Sequence, residues 1–352
     1  MLPTPRPKIL ACTSCPPRYQ YATAEILPYI ERWLGARTVS FKRLQRIFAA
    51  AEIERRGCVL PIEEIFRPRS FEDKNNSFVE CALELGAQAF ARGLAAAKIE
   101  AQQIDFLITV SCTGYMIPSL DAHLINHFRM RRDVQRLPVL QMGCAGGTSA
   151  LMYATDYLQA HPDKKVAIVA VEMPSLTLQL GDLDMANLVS TAIFADGAAC
   201  AILGRTDEVR PAILDKAMYN FPDATWLMGY QLRNTGFHIV LDRKVPDAIS
   251  EHFENIVLPF LERNRVACAD VDHFVFHPGS IRILERAESL VRAQGGDLEF
   301  SKSVLREHGN MSSATVLYIL ERVIASAVAG DTGLMLGFGP GFVGQTLLLR
   351  WQ

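Results

Sequence analysis

A repeated interval constrains this chain more than any other feature. Ile104-Asp105 opens an apolar run ending at Ser-Cys-Thr-Gly, and Gly143-Cys144 then precedes a helical stretch. Val271-Asp272 opens a second such run, ending at His-Pro-Gly, and Gly309-Asn310 again precedes a helical stretch. The interval from Ile104 to Cys144 matches that from Val271 to Asn310 to within one residue. A further strand pattern follows each reactive position, KVAIVAVE in the first half and GLMLGFG in the second. Such repetition points to a duplicated unit, with Cys144 and Asn310 at equivalent helix starts facing one cleft.

The pattern between these points agrees. Short β-rich runs at 104–112, 138–142, 165–172, 198–204, 237–241, 272–277 and 333–339 alternate with helical stretches, the clearest from Ser77 to Lys98 and from Ser313 to Ala329. The alternation predicts an α/β fold of parallel strands joined by crossover helices. The two halves are residues 1–208, which carry Cys144, and 209–352, which carry His277 and Asn310. With 352 residues and 49% hydrophobic content, the chain can bury a sizeable core.

Charge and motifs remove several function classes. A formal net charge of −2 gives no overall basic field for nucleic acid. No apolar stretch reaches membrane-spanning length, and the segment MLPTPRPKILACTSCPP has no secretory hydrophobic region, so a cytoplasmic protein is expected. The eight cysteines lie mostly within apolar runs, the pattern of reduced core residues. Cys12 and Cys15 form a lone CxxC at a strand end before Pro16-Pro17, which does not make a metal site without further ligands. No GK[ST] follows a glycine loop, no GxGxxG precedes a helix and no HExxH occurs, so neither a nucleotide nor a metal cofactor is expected.

Three glycine-flanked residues carry the chemistry. Cys144 lies in QMGCAGG between a strand and a helix, where the helix N-terminus favours thiolate and free N–H groups can hold an oxyanion. His277 ends an apolar strand before Pro278-Gly279, which places it at an exposed strand tip. Asn310 lies in HGNMSS at a helix start. Each has an ordinary structural role open to it: buried thiol, core histidine, helix cap. Their convergence in the repeat favours a joint role in thiol-based acyl transfer. Downstream, Gly337–Gly341 (GFGPG) is expected to form a rigid loop pressed against a ligand or another backbone.

These strings, with GNMSSA and GFGPGF in the order Cys, His, Asn, resemble the type III polyketide synthases of the chalcone synthase superfamily over nearly the whole chain. The resemblance implies a thiolase-like fold of five α-β-α-β-α layers and a homodimer. It implies that Cys144 takes an acyl group from a CoA thioester, that malonyl-CoA loses CO2, and that His277 and Asn310 hold the enolate that attacks the Cys-bound thioester. The substrates are then CoA thioesters, and no separate cofactor is implied.

By the same resemblance Phe194 in AIFADG matches a gate phenylalanine, and Ile239 stands where plant enzymes have a second one. Cys112, Thr113, Pro174, Thr177, Tyr230 and Ser312 match cavity positions, and Ile117 matches a residue reaching into the partner subunit. Arg43 and Arg46 match residues that hold CoA phosphates, Ala50 replaces a third, and Arg282 lies at the expected tunnel mouth. Cys112 and Tyr230 resemble malonyl-primed tetrahydroxynaphthalene synthases. SLTLQ, ANLVSTAIFADGAA and GPGFVGQTLLLRW resemble the acyl-primed alkylpyrone and alkylresorcinol synthases, and the balance leans toward these. A tunnel between Thr113 and Pro174 would favour long acyl starters, and a pocket closed by Tyr230 would favour malonyl. A priming ketoacyl-carrier-protein synthase shares the three residues but lacks GFGPG, and a hydroxymethylglutaryl-CoA synthase would need a catalytic Glu. An acyl-CoA-binding protein that has lost activity would not need the intact trio.

Overall fold

The apolar runs become strands because both their faces are covered. In the computed structural model, which describes residues 6–35, 39–292 and 296–352, the strands in chain order are β1 (Lys8–Cys15), β2 (Tyr19–Ala22), β3 (Arg55–Cys58), β4 (Phe106–Val110), β5 (Gln135–Val139), β6 (Val166–Glu172), β7 (Gly197–Gly204), β8 (Pro211–Asn220), β9 (Met228–Arg233), β10 (Gly236–Leu241), β11 (His273–Phe276), β12 (Thr332–Gly339) and β13 (Val343–Trp351). Every residue of β4, β6, β7 and β12 is buried, which explains their unbroken apolar sequences.

Nine strands form one mixed sheet in the order β11-β12-β13-β8-β1-β7-β6-β4-β5. The block β1-β7-β6-β4 is repeated as β8-β13-β12-β11, and the pairing sense repeats with it. The β1/β7, β7/β6, β8/β13 and β13/β12 pairs are antiparallel, whereas β6/β4 and β12/β11 are parallel. The blocks meet where Lys8 pairs with Ala212. The expectation of parallel strands is thus corrected to a mixed sheet. The physical reason lies in the connections: β12 turns straight back into β13 through Pro340-Gly341, and a short turn reverses a strand whereas a parallel return needs a crossover.

The helix Gly146–Ala160 touches β4 and β6 of one block and β12 and β13 of the other, while Thr315–Ser326 touches β1, β7 and β11. They form a central layer. Outside the first block lie Phe71–Ala97 and Leu120–His127, and outside the second Val245–Arg263 packs on β13 and on Ile281–Arg292. The result is the five-layered, thiolase-like α-β-α-β-α order. The two central helices approach closely at their N-terminal ends: a Cβ on Gly147 would lie 2.3 Å from the Ser313 carbonyl oxygen. No helix among the described residues is long and apolar enough to cross a membrane.

Some boundaries moved. Phe71–Ala97 begins before Ser77 because Ser70 and Asp73 form a capping box whose polar first turn hides the apolar period. The strand expected at 138–142 is β5 at Gln135–Val139, paired with β4 at the sheet edge; there backbone pairing, not hydrophobicity, decides the register. The GFGPG segment is a strand end plus a turn, with Gly337–Gly339 inside β12. It does press on another backbone: a Cβ on Gly339 would lie 2.5 Å from the Met142 carbonyl oxygen and 2.6 Å from Ala145 Cβ. Gly339→Ala is therefore expected to destabilise the protein by ~1–3 kcal/mol through overpacking against the turn that carries Cys144. A thermal melt checks this by a midpoint several degrees lower.

Candidate active site

Cys144 sits in the 3-10 turn Gly143–Ala145 that feeds directly into the buried helix Gly146–Ala160. Asn310 stands at the equivalent point of the second half, before the turn Ser312–Ala314 and the helix Thr315–Ser326. Duplication and the close crossing of the two helices bring these turns together. His277 follows β11, and its backbone N–H donates to the Leu336 carbonyl at 2.9 Å, which extends the β11–β12 pairing by one residue. The strand tip is not exposed as expected: His277 is 3% accessible. The strand ends beneath a cavity whose wall it shares with Ile283, Asn310 and Phe338.

That cavity has a volume of about 480 Å³ and is lined by all three residues, with Phe194, Arg282 and Arg243 among the others. A second cavity of about 440 Å³ lies on the other side of Cys144 and Phe194, and Cys112, Tyr230, Ile239 and Ser312 help to line it. Cys144 and Phe194 belong to both walls. The thiol thus stands between two chambers, with a phenylalanine ring beside it.

Asn310 is oriented by its own hydrogen bonds. Its Oδ1 accepts from the Ser312 backbone N–H at 2.8 Å, and its Nδ2 donates to the Gly279 carbonyl at 2.9 Å. Because Oδ1 is committed to a backbone donor, the NH2 group must face the other way, and its second hydrogen is directed at the Cys144 thiol. Both His277 ring nitrogens are buried and have no hydrogen-bond partner among the described residues. A buried polar pair left unpaired costs ~1–3 kcal/mol per group, and here it faces the cavity that holds the thiol.

The electrostatics favour neutral groups at rest. Burial pushes the Cys144 thiol up to about 12, against hydrogen bonds from Ser312, its own backbone and Asn310, while the charge of Glu172 adds to the rise. Burial pulls the His277 imidazole down to about 4. Each charged form, thiolate or imidazolium, is thus penalised by desolvation when it stands alone.

Glu172 escaped the sequence reading. It is fully buried at the end of β6 and accepts hydrogen bonds from the Cys112 N–H at 3.0 Å, the Thr113 hydroxyl at 2.8 Å and the Ser313 hydroxyl. Burial raises its pKa. The available signal was a single acid closing an otherwise apolar strand. Arg243, in the turn after β10, was also missed although it lines the larger cavity with Arg282.

The remaining expected positions divide. Cys112 shares the Ser312 hydroxyl with Cys144: its Sγ lies 3.4 Å from Ser312 Oγ, and Ser312 also hydrogen-bonds the reactive thiol. Tyr230 is half-buried in β9, and its hydroxyl hydrogen-bonds Thr177. Thr113 lines neither large cavity. Its hydroxyl is spent on Glu172 and accepts from the Met173 N–H at 2.8 Å. Pro174 and Thr177 instead wall a narrow recess of about 60 Å³ behind Phe194 and Ile239. Ile117 is 79% exposed on the surface. Arg43 and Arg46 lie on the helix Phe41–Ala51, and Arg43 Nη2 donates to Met185 Sδ at 3.3 Å at the rim of the larger cavity.

Comparison with known proteins shows the family. Residues 10–221 match the family described as FAE1/Type III polyketide synthase-like protein, and residues 214–351 match the C-terminal domain of chalcone and stilbene synthases. The chain is 34% identical over 346 residues to a 1,3,6,8-tetrahydroxynaphthalene synthase of Streptomyces peucetius subsp. caesius, covering 96% of this chain and 91% of the relative. It is 30% identical over 342 residues to a phloroglucinol synthase of Pseudomonas fluorescens, covering 95% and 96%. The crystal structure of the tetrahydroxynaphthalene synthase of Streptomyces coelicolor A3(2) superposes with a TM-score of 0.90 at 30% identity, covering 99% and 98%. From end to end, in both halves and around the paired helix starts, the chain belongs to the type III polyketide synthases, enzymes of the acyltransferase class.

Proposed function

We propose that this enzyme builds its product from malonyl units alone, as the tetrahydroxynaphthalene synthases among its relatives do, and not on a long acyl starter. The observation that carries this reading is the wall of the second cavity. Thr113 is turned away into hydrogen bonds with Glu172 and Met173, Pro174 lines the 60 Å³ recess, and the half-buried Tyr230 lines the chamber together with Cys112. Neither large cavity reaches Thr113 or Pro174, the pair between which a long alkyl chain would leave. A 440 Å³ chamber suits a growing chain of malonyl origin.

The chemistry runs through the three convergent residues. His277 takes the proton of Cys144 as the sulfur attacks a CoA thioester; the acyl group passes to sulfur and CoA leaves as its thiol, which recovers that proton. A second malonyl-CoA then loses CO2. The pair of electrons left behind is held as an enolate by hydrogen bonds from His277 and from the Asn310 N–H that faces Cys144, neutral donors that do not oppose the negative charge. The enolate carbon attacks the Cys-bound thioester, lengthens the chain and releases Cys144 for the next round. Arg282 and Arg243 at the cavity, with Arg43 and Arg46 on the neighbouring helix, would meet the CoA phosphates. Phe194 would separate the CoA chamber from the product chamber. The assembly would be a homodimer in the cytoplasm, with Ile117 against the partner.

Purified enzyme given malonyl-CoA, alone or with acetyl-, hexanoyl- and palmitoyl-CoA, should yield one malonyl-derived product whatever starter is offered. Alkylated pyrones or resorcinols formed at a higher kcat/KM would sink the reading. Tyr230→Gly should admit hexanoyl-CoA by enlarging that chamber, read from product masses. The Ser312 hydroxyl lowers the Cys144 pKa, so its removal must raise it. In Ser312→Ala, the midpoint of the pH profile for iodoacetamide alkylation of Cys144 should accordingly move to higher pH.

A further inference from the structure

Phe194 and Asn310 come from different halves of the fold, yet they form a one-residue parallel bridge. The Asn310 N–H donates to the Ile193 carbonyl at 2.9 Å, and the Ala195 N–H donates to the Asn310 carbonyl at 2.9 Å. Through its side chain Asn310 also holds the Gly279 carbonyl, two residues beyond His277. The ring beside the thiol, the enolate-binding amide and the histidine loop therefore form one hydrogen-bonded body.

Two backbone hydrogen bonds are a slender tie for that body. Its anchor on the other side is Asp196, two residues beyond Phe194. This carboxylate is 1% exposed and accepts from the Val59 N–H at 2.8 Å, the Ser175 N–H at 2.9 Å and the Ser175 hydroxyl at 2.5 Å. Its own N–H donates to the Gly57 carbonyl at 2.9 Å. No ion pair to it occurs among the described residues. A buried carboxylate with only neutral donors is an expensive way to fill space. The segments it grips, the end of β3 and the turn Pro174–Thr177, are walls of the recess directly behind Phe194.

We propose that Asp196 is a positioning residue for condensation: by locking β3 and the Pro174–Thr177 turn to the Phe194 segment, it fixes the gate ring and Asn310 as one unit. Access to the thiol and binding of the enolate are then set by a single latch. The proposal rests on the roles given above to Phe194 and Asn310.

Asn310→Ala tests those roles separately: it must lose malonyl-CoA decarboxylation, and if it does not, the catalytic reading fails before the latch is at issue. In Asp196→Asn only one oxygen can still accept, and the amide NH2 meets a backbone N–H donor. The expected result is a loss of about tenfold or more in kcat for decarboxylation, the scale of a small displacement of a catalytic group. A shift in product chain length should accompany it, with Cys144 still alkylated by iodoacetamide. Asp105→Asn serves as the comparison, since Asp105 is also buried but is held by Arg131 and Lys164 at the far end of β4. It should lower the melting temperature without changing decarboxylation kinetics or product length. If Asp196→Asn does not fold, Ser175→Ala, which removes one of the three donors, should change kcat and product length in the same direction by a few fold. Unchanged kcat and product length in the folded variant, or a change no larger than in Asp105→Asn, would overturn the proposal.

Discussion

The close meeting of two helix starts is the constraint on which the rest depends. Gly147 lies against the Ser313 carbonyl, where a single Cβ would come within 2.3 Å. That approach lets the helices Gly146–Ala160 and Thr315–Ser326 share the central layer, and so brings Cys144 and Asn310, one from each half, to the same cavity wall. β11 and β12 deliver His277 to that wall, and Gly339 at the end of β12 packs against the turn that carries the thiol. The site is therefore a property of the interface between the halves and of neither half alone.

The same enclosure sets the chemistry. Desolvation moves Cys144 up and His277 down, so both groups favour their neutral forms at rest. The polar groups that surround the pair are neutral donors whose positions are already fixed: the Ser312 hydroxyl and the Asn310 amide. Such an environment needs little rearrangement when negative charge develops on sulfur or on an enolate. Glu172 lies close enough to raise the pKa of Cys144, but four donors, from Cys112 N–H and thiol, Thr113 and Ser313, tie it down at the end of β6.

Much of this was readable in advance. The duplicated interval, the helix starts at Cys144 and Asn310 and the strand ending at His277 follow from apolar periodicity punctuated by glycine, both local signals. The environment of His277 was not local: a strand tip followed by Pro-Gly reads as exposed, and only packing of the second half over it makes it buried. The direction of β7 and β13 also escaped, because strand polarity is set by how the chain returns and leaves no trace in the strand's own residues. Glu172 and Asp196 were missed since an acid inside an apolar run carries no periodic signal, and its meaning lies in which donors surround it.

By itself the sequence determined the residue kit, its order and its place at element ends, and therefore the reaction class. The tertiary structure decided which of the matched positions line a cavity. Thr113 and Tyr230 both match cavity positions in sequence, but Thr113 turns its hydroxyl to Glu172 while Tyr230 enters the chamber beside Cys112. The reason is that a reactive motif is written in neighbouring residues, whereas the volume and openings of a cavity are set by side chains from distant segments competing for the same hydrogen bonds and space.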